Sequence, residues 1–426
     1  MARKTIETIP CLRYLVYVGI WRTAFRGFRI VDFAGEFFGS IVVENGRICK
    51  VIDGSGGLPG VHTVIDGPPG AVLMPAFIDL HAHFRDPGFP QKETLESASL
   101  AAVAGGFATV VCMANTNPVI DTLEKAASLK ARSDALSLID LYPVVSLTKN
   151  MDGAELSGIG GQVGGRAGLP LMLSEDGKDV ADDALFLAAM EQAKRLGVPV
   201  SCHCDLGGVE AVAVARAIDL GRKAGCHVHI AHVSTRETVE TIRLARKDWP
   251  AFGLTCEVAP HHLGATSKDA ERMGGSGFGR VNPPLARESD RQALVAAVLD
   301  GTIDAIATDH APHSGADKAG GAPGFVGLET AFAACLTNLA GAELPLLSAL
   351  TAANPARILG LKDRGRIAEG LRADLVIADT GAVWKVDPEK FRSRGRCTPF
   401  EGAELRGRIL MTMSAGRVVF QGDENG

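Results

Sequence analysis

Eight short apolar runs rich in β-branched residues alternate with Ala/Leu-rich stretches along the middle of the chain, and this alternation constrains the fold most strongly. A strand followed by a helix, repeated eight times, is typical of a (β/α)8 barrel. We therefore predict an α/β fold with a TIM barrel over residues 73–361. The runs are AVLMPAFIDLHAHFR, FATVVCMANTNP, LIDLYPVVSLT, GLPLMLSEDG, VPVSCHCD, CHVHIAHVST, FGLTCEVAPHH and IDAIATDHAPH.

The two ends of the chain carry a different pattern. Residues 25–72 alternate apolar and polar side chains around an Asn-Gly hairpin turn, and residues 362–426 contain further short strands separated by Gly, Asp and Arg. We expect both segments to combine into one small β-sandwich domain. Residues 1–24 are predicted to be an N-terminal extension, because Arg13 interrupts their apolar patch and no cleavage pattern follows it.

Charge and cysteine content exclude several classes of function. The chain has 44 Lys+Arg and 49 Asp+Glu, and its net charge of −5 argues against nucleic acid or an anionic membrane as the main partner. Nine cysteines without a Cys-x-x-Cys pair indicate reduced thiols, and therefore a cytoplasmic location.

Histidine and aspartate residues at the ends of the runs form the candidate site. His81 and His83 alternate along the first run, so both imidazoles face the same side of the strand. His203, His232 and Asp309 end the fifth, sixth and eighth runs. Barrel enzymes carry their active sites at the carboxyl ends of the strands. Imidazole and carboxylate ligands suit Zn²⁺ or a similar divalent ion, so we predict a site for one or two ions.

The fourth run ends in Glu175 and Asp176, and one of these carboxylates is the candidate bridge between two ions. Alternation along the strand points the two side chains in different directions, so only one can face the metals. An ordinary Asp-Gly turn is the competing interpretation of this segment. Arg85 follows His83 on the same side of the first run and adds a cation to the site.

These motifs together resemble the cyclic-amide hydrolases of the amidohydrolase superfamily, and most closely the long bacterial form, type I dihydroorotase. The resemblance runs from about residue 25 to the C-terminus. Its segments are MPAFIDLHAHFRDPG, KETLESASLAAVAGGFATVVCMANTNP, SEDG, CHCD, HIAHVST, EVAPHHL, RVNPPL, ATDHAPH, VGLET, NPARILGL and GRIAEGLRADLVIAD.

The resemblance implies a role for each candidate ligand. His81, His83 and Asp309 would hold one zinc ion, and His203 and His232 would hold the other, with an anion between the two ions.

The bridging anion is a carboxylated lysine in many relatives, but here the fourth run has no lysine at its end. The segment resembles the Asp-Asp-Gly version of type I dihydroorotases, with Glu175 in place of the first Asp. That comparison selects Asp176 as the bridge and leaves Lys178 and Lys149 as fallback candidates.

On the substrate side, the resemblance implies that Arg85 and Asn115 hold the carboxylate of dihydroorotate, a planar anion that suits a guanidinium. Asn282 and His313 resemble residues that contact the ring or its carboxylate. Asp309 would act as general acid and base, with a metal-activated hydroxide as the nucleophile. A turn before a proline is the competing interpretation of Asn115 and Asn282.

The implied function is the reversible cyclisation of N-carbamoyl-L-aspartate to L-dihydroorotate in pyrimidine biosynthesis. One alternative is another cyclic amidohydrolase, namely a dihydropyrimidinase, hydantoinase or allantoinase. The other is a non-catalytic scaffold that binds aspartate carbamoyltransferase. We also expect a homo-oligomer.

The loop after His313 departs from the family pattern. It reads SGADKAGGAPGFVGLET, with Gly324 and Phe325 in the reverse of the usual Phe-Gly order. A lid over the site and a disordered connector are both compatible with this sequence over residues 314–327.

Overall fold

The computed structural model describes residues 21–58, 60–159, 170–275 and 277–422. Most of the predicted N-terminal extension, residues 1–20, lies outside this part of the chain. In chain order, the described strands are β1 Arg22–Asp32, β2 Gly35–Glu44, β3 Arg47–Asp53, β4 Thr63–Asp66, β5 Ala71–Pro75, β6 Phe77–Ala82, β7 Phe107–Cys112, β8 Asp140–Pro143, β9 Leu173–Ser174, β10 Val200–Cys202, β11 Val228–Ile230, β12 Leu254–Val258, β13 Ala305–Ile306, β14 Leu375–Lys385, β15 Glu404–Ser414 and β16 Arg417–Gln421.

Helices follow most of the barrel strands. The described α-helices are α1 Leu95–Ala104, α2 Leu123–Leu136, α3 Asp183–Leu196, α4 Glu210–Ala224, α5 Arg236–Asp248, α6 Pro260–Gly264, α7 Ser267–Arg272, α8 Glu288–Leu299, α9 Gly315–Ala319, α10 Ala331–Asn338, α11 Leu344–Ser348 and α12 Asn354–Ile358. None of them has the length and apolar character needed to cross a bilayer.

The strands β6 to β13 form the barrel. Three of them, β6, β7 and β8, pair in parallel, and β9 to β13 form a second parallel sheet. Parallel bridges join Val145 to Leu173 and Ala82 to His310, so the two sheets close into a ring. Each strand falls within one of the eight apolar runs. The α/β barrel predicted from the sequence is confirmed.

Burial explains why these segments adopt this arrangement. Every residue of β6, β7 and β12 is buried, as expected for parallel strands covered by side chains inside and helices outside. The helix α3 begins after Asp182, whose carboxylate accepts a hydrogen bond from the Leu185 amide. It ends at Gly197, whose φ of 72° is the left-handed cap that favours glycine.

Strands from both ends of the chain form one sheet beside the barrel. Its order is β16-β15-β14-β5-β1-β2-β3, with β4 also paired to β1. The central pairing joins β5 to β14 antiparallel, with Pro75 opposite Leu375. One apolar core is shared by strands across the sheet, and the combination of both chain ends into one β unit is confirmed. That core includes Phe25, Ile41, Ile48, Leu73, Leu375, Ile377 and Met411.

The buried carboxylate of Asp140 links this β unit to the barrel through hydrogen bonds. Asp140, at the start of β8, accepts hydrogen bonds from Arg364 Nη1 at 2.6 Å and Arg372 Nη1 at 2.7 Å, and from Lys130 Nζ at 2.9 Å. Burial opposes its ionisation, but Arg364, Lys130 and Arg372 together hold the pKa of Asp140 below its ordinary range.

We expect Asp140→Asn to lower the free energy of unfolding by about 3 kcal/mol, because it removes the largely buried negative charge that Arg364, Arg372 and Lys130 share. Urea denaturation of the purified variant measures this loss. The control is Asp66→Asn, which breaks the exposed pair with Arg26 and should leave the unfolding midpoint almost unchanged. Equal effects of the two variants would contradict the assignment of Asp140 as the residue that links the β unit to the barrel.

Candidate active site

The six predicted metal ligands lie together at the carboxyl ends of the barrel strands. All six side chains are at least 95% buried, which is unusual for histidine and aspartate unless they are paired or bind a metal. Two lie on or directly after β6, and the others follow β9, β10, β11 and β13. They are His81, His83, Asp176, His203, His232 and Asp309.

Asp176 occupies the centre of this cluster. Its Oδ1 lies 3.1 Å from His81 Nε2, 3.3 Å from His203 Nδ1 and 3.7 Å from His232 Nε2. Its Oδ2 lies 3.3 Å from His83 Nε2. The carboxylate therefore contacts histidines of both predicted ligand groups, which is the position that a bridge requires.

Two overlapping sets of ligand atoms have the spacing of a metal site. One set is His81, His83 and Asp309, and the other is His81, Asp176 and His232. The two imidazole nitrogens His203 Nδ1 and His232 Nε2 also approach to 2.8 Å.

The donor atoms fit a divalent ion. Among the described residues, His81 Nε2 and Asp176 Oδ1 are buried without a hydrogen-bond partner. Buried polar atoms of this kind are costly unless something binds them, and nitrogen and carboxylate donors suit zinc. The cluster is therefore a candidate metal centre.

Neighbouring acceptors determine which ring nitrogen of His81 and of His83 is unprotonated. His81 Nδ1 lies 3.1 Å from Glu257 Oε1, and His83 Nδ1 lies 2.9 Å from Asn115 Oδ1. Because both partners accept, both histidines carry their proton on Nδ1 and present an unprotonated Nε2 to the cluster. Burial opposes ionisation of Glu257, but His229 and His81 lower its pKa to about 2, so it remains a charged acceptor.

Glu175 points away from the cluster. Its carboxylate accepts from the amides of Leu147 at 2.9 Å and Thr148 at 3.0 Å, and from the Thr148 hydroxyl. The fallback candidates also lie elsewhere, since Lys178 Nζ donates to the Met151 carbonyl. Lys149, the other fallback, pairs with Glu155 on the surface.

Asp309 lies against histidines of the cluster and of the neighbouring helix α6. Its Oδ1 is 3.4 Å from His83 Nε2, and its Oδ2 is 3.9 Å from His261 Nε2. Burial opposes its ionisation, but its surroundings of His83, His81 and His232 hold the pKa of Asp309 below its ordinary range. The charged carboxylate can accept a proton.

Arg85, Lys92 and His313, which we call the basic group, lie next to the cluster, because the charge of Arg85 helps to lower the pKa of His83 after burial. Arg85 Nη2 and Lys92 Nζ each lie 3.3 Å from a different ring nitrogen of His313. His313 Nε2 also lies 3.0 Å from the Pro323 carbonyl oxygen, so that nitrogen carries the proton. Burial, Arg85 and Lys92 lower the pKa of His313 to about 3, which keeps its ring neutral.

The two predicted asparagine contacts are engaged with the metal-ligand histidines. Asn115 bonds to His83 as above, and its Nδ2 lies 3.4 Å from the Asp176 carbonyl oxygen. Asn282 Nδ2 lies 2.8 Å from His203 Nε2 and 3.0 Å from Asp205 Oδ2. Both amides thus hold the cluster in place, and their contact with a substrate stays a prediction.

Backbone strain is concentrated in this region. Arg85, His232 and Asp309 have φ values of 56°, 31° and 45°, which non-glycine residues rarely adopt. Such conformations cost free energy and persist where surrounding contacts impose them, commonly at functional sites.

Comparison with known proteins decides the family. Residues 72–419 match the Amidohydrolase family. The chain belongs to the amidohydrolase family. Dihydroorotase from Clostridium botulinum is 38% identical over 92% of this chain and 98% of the relative. Dihydroorotase from Anaeromyxobacter dehalogenans is 38% identical over 89% and 98%, and that from Aquifex aeolicus is 36% identical over 91% and 95%.

Solved structures of two enzymes share the fold. L-Hydantoinase from Arthrobacter aurescens superposes with a TM-score of 0.82 at 25% identity, and covers 94% of this chain and 96% of that protein. Dihydropyrimidinase from Brevibacillus agri has a TM-score of 0.77 at 19% identity over 94% and 95%, which shows the fold alone.

Three residues that contact the site of this amidohydrolase were not predicted from the sequence. Glu257 and Asp205 hold His81 and His203, with 3.3 Å between Asp205 Oδ2 and His203 Nε2. Lys92 contacts His313. Glu257 carried a signal, because a glutamate within the apolar run FGLTCEVAPHH must find a buried partner.

We expect Glu257→Gln to weaken binding of a divalent ion by about 10- to 100-fold, because the amide no longer fixes the His81 proton on Nδ1. Metal content at buffered free zinc concentrations measures this change. The control is Glu329→Gln, since the Glu329 carboxylate accepts only from the amides of Arg392 and Ser393 among the described residues. Unchanged zinc affinity in Glu257→Gln would contradict this role.

Proposed function

We propose that this amidohydrolase is a zinc-dependent dihydroorotase, which interconverts N-carbamoyl-L-aspartate and L-dihydroorotate. The observation that carries the proposal is the buried His/Asp cluster directly beside the basic group. The first offers ligands for a metal, and the second offers charge for an anionic substrate. The curated dihydroorotases similar along nearly the whole chain support the same reaction.

The proposed ligands are His81, His83 and Asp309 for one ion and His203 and His232 for a second. Asp176 stands between the two groups. When bound, zinc would supply a lowered pKa for water and polarisation of the ring carbonyl.

Asp309 is the proposed general acid and base. During hydrolysis, the oxygen of water bonds to the ring carbonyl carbon, and a carboxylate oxygen of Asp309 takes the proton that the water loses. When the carbon–nitrogen bond breaks, Asp309 delivers this proton to the departing ring nitrogen. Cyclisation of carbamoyl-aspartate runs the same steps in reverse and releases water.

Arg85 is the proposed anchor for the substrate carboxylate. Its guanidinium is half-buried next to the neutral His313, and Lys92 adds a second positive charge to the basic group. A desolvated guanidinium gains most from a planar anion. This favours dihydroorotate over the uncharged rings of hydantoinase and dihydropyrimidinase substrates.

We expect prolonged chelation to abolish carbamoyl-aspartate cyclisation and dihydroorotate hydrolysis together, and added zinc to restore both. The measurement is the rate in each direction before chelation, after chelation and after zinc addition. The control is a sample from which the chelator is removed before the metal has left the protein. It shows whether the chelator itself inhibits the enzyme.

Two results would replace the proposal with its alternatives. Faster turnover of hydantoin or dihydrouracil than of dihydroorotate would indicate another cyclic amidohydrolase. Absence of bound metal and of activity after zinc addition would indicate a scaffold, although the presence of all six candidate ligands argues against one. A cytoplasmic location, a homo-oligomer and association with aspartate carbamoyltransferase stay predictions.

A further inference from the structure

Lys318 lies on α9, in the loop that departs from the family pattern, and its side chain is 1% exposed. Its Nζ donates hydrogen bonds to the carbonyl oxygens of Arg280 at 2.7 Å, Ala322 at 2.9 Å and Gly324 at 2.9 Å. An ammonium group has three N–H donors, and these three carbonyls match them one to one. The loop is therefore ordered around a buried charge.

The three acceptors belong to two separate loops that both reach the active site. Arg280 lies two residues before Asn282, whose amide contacts His203. Ala322 and Gly324 flank Pro323, whose carbonyl accepts from His313. One loop thus contacts the metal cluster, and the other contacts the basic group.

Backbone contacts tie the second loop to the first and to the end of the eighth barrel strand. The Gly324 amide donates to the Arg280 carbonyl at 3.0 Å, and the Ala311 amide donates to the Phe325 carbonyl at 2.7 Å. A Cβ atom on Gly324 would lie 2.5 Å from the Ala311 oxygen. The Lys318 ammonium also lies 5.2 Å from the centre of the Phe325 ring.

The two loops border one cavity of about 610 Å³ next to the metal cluster. Gly279, Arg280 and Asn282 line it from one loop, Pro323 lines it from the other, and Asp205, which contacts Asn282, also lines it. The positions of both loops therefore set the shape of this space.

We propose that Lys318 is a positioning residue that joins the two loops into one wall of the substrate pocket. The proposal rests on the proposed function, because this wall would border the site at which dihydroorotate binds. A residue that only stabilised the fold would change the melting temperature, whereas a residue that positions this wall also changes substrate binding.

The test compares Lys318→Met with the wild type. Methionine has a similar length but no donor, so we expect the KM for dihydroorotate to rise about tenfold while kcat and metal content stay nearly constant. Hydrogen exchange should increase together in residues 277–282 and 320–325, which includes the Gly324 amide. Lys318→Gln, which keeps two donors on a shorter side chain, should show smaller changes and replaces the first variant if that one does not fold.

Lys318→Arg separates the effect of the three hydrogen bonds between the loops from the effect of the positive charge. Arginine keeps the charge, but its planar guanidinium cannot direct three donors from one atom, so we expect a raised KM here too. A wild-type KM in the arginine variant, or unchanged KM and exchange in the methionine variant, would overturn the proposal. If the wild type itself does not turn over dihydroorotate, the proposed function fails instead. Hydrogen exchange then still tests whether Lys318 connects the two loops.

Discussion

Asp176→Asn is expected to reduce kcat/KM for dihydroorotate by about a thousandfold or more and to lower the bound metal by at least one ion. The amide has nearly the same volume but no charge. It would replace an anionic oxygen that lies within 3.7 Å of three histidine nitrogens. Metal analysis and steady-state kinetics of the purified variant measure both effects.

Asp121→Asn is the matched control. Asp121 is equally buried, but its carboxylate binds Lys125 and the Asn150 amide rather than the histidines. It should keep its metal and most of its activity. If Asp176→Asn kept both while Glu175→Gln lost both, Glu175 would be the bridging carboxylate, and the side-chain directions described above would be wrong for the metal-bound protein.

Arg85→Ala should abolish measurable turnover of dihydroorotate, with a loss of about a thousandfold or more in kcat/KM. The reason is that the carboxylate of the substrate would enter a desolvated site without its planar counterion. Metal content should stay unchanged, because Arg85 contacts His313 and Pro312 rather than the ligand histidines. Kinetics with dihydroorotate and with the uncharged ring dihydrouracil measure the selectivity.

The control for this variant is Arg216→Ala. Arg216 lies on α4 and pairs with Asp183 on the outside of the barrel, so its loss should leave both substrates unaffected. Retained turnover of dihydroorotate by Arg85→Ala would refute the proposed anchor. An equal loss with dihydrouracil would show that Arg85 serves the fold or the metal rather than the carboxylate.

The sequence predicted the barrel and the meeting of its histidines because both depend on local patterns. His81 and His83 share a face through the two-residue period of a strand, and parallel strands bring the ends of separate runs together. Alternation also showed that Glu175 and Asp176 diverge. Which of the two faces inward depends on the amide donors of Leu147 and Thr148, which are distant in the sequence and bind the Glu175 carboxylate.

Other contacts had no local signal. The amides of Asn115 and Asn282 bind histidines that are 32 and 79 residues away, and the pairing follows from loop conformations that single residues do not specify. The acceptors of Lys318 are backbone carbonyls, which every residue carries, so no residue type marks them in advance.

The pairing of β5 with β14 has a consequence for synthesis of the chain. Met74 lies opposite Val376, so about 300 residues must leave the ribosome before this central ladder of the sheet can form. Until then, β5 has an unpaired edge on that side. The apolar side chains that share a core with Leu375 and Met411 are exposed to solvent. The nascent chain thus carries an open, apolar strand edge throughout synthesis of the barrel, which favours aggregation during that interval.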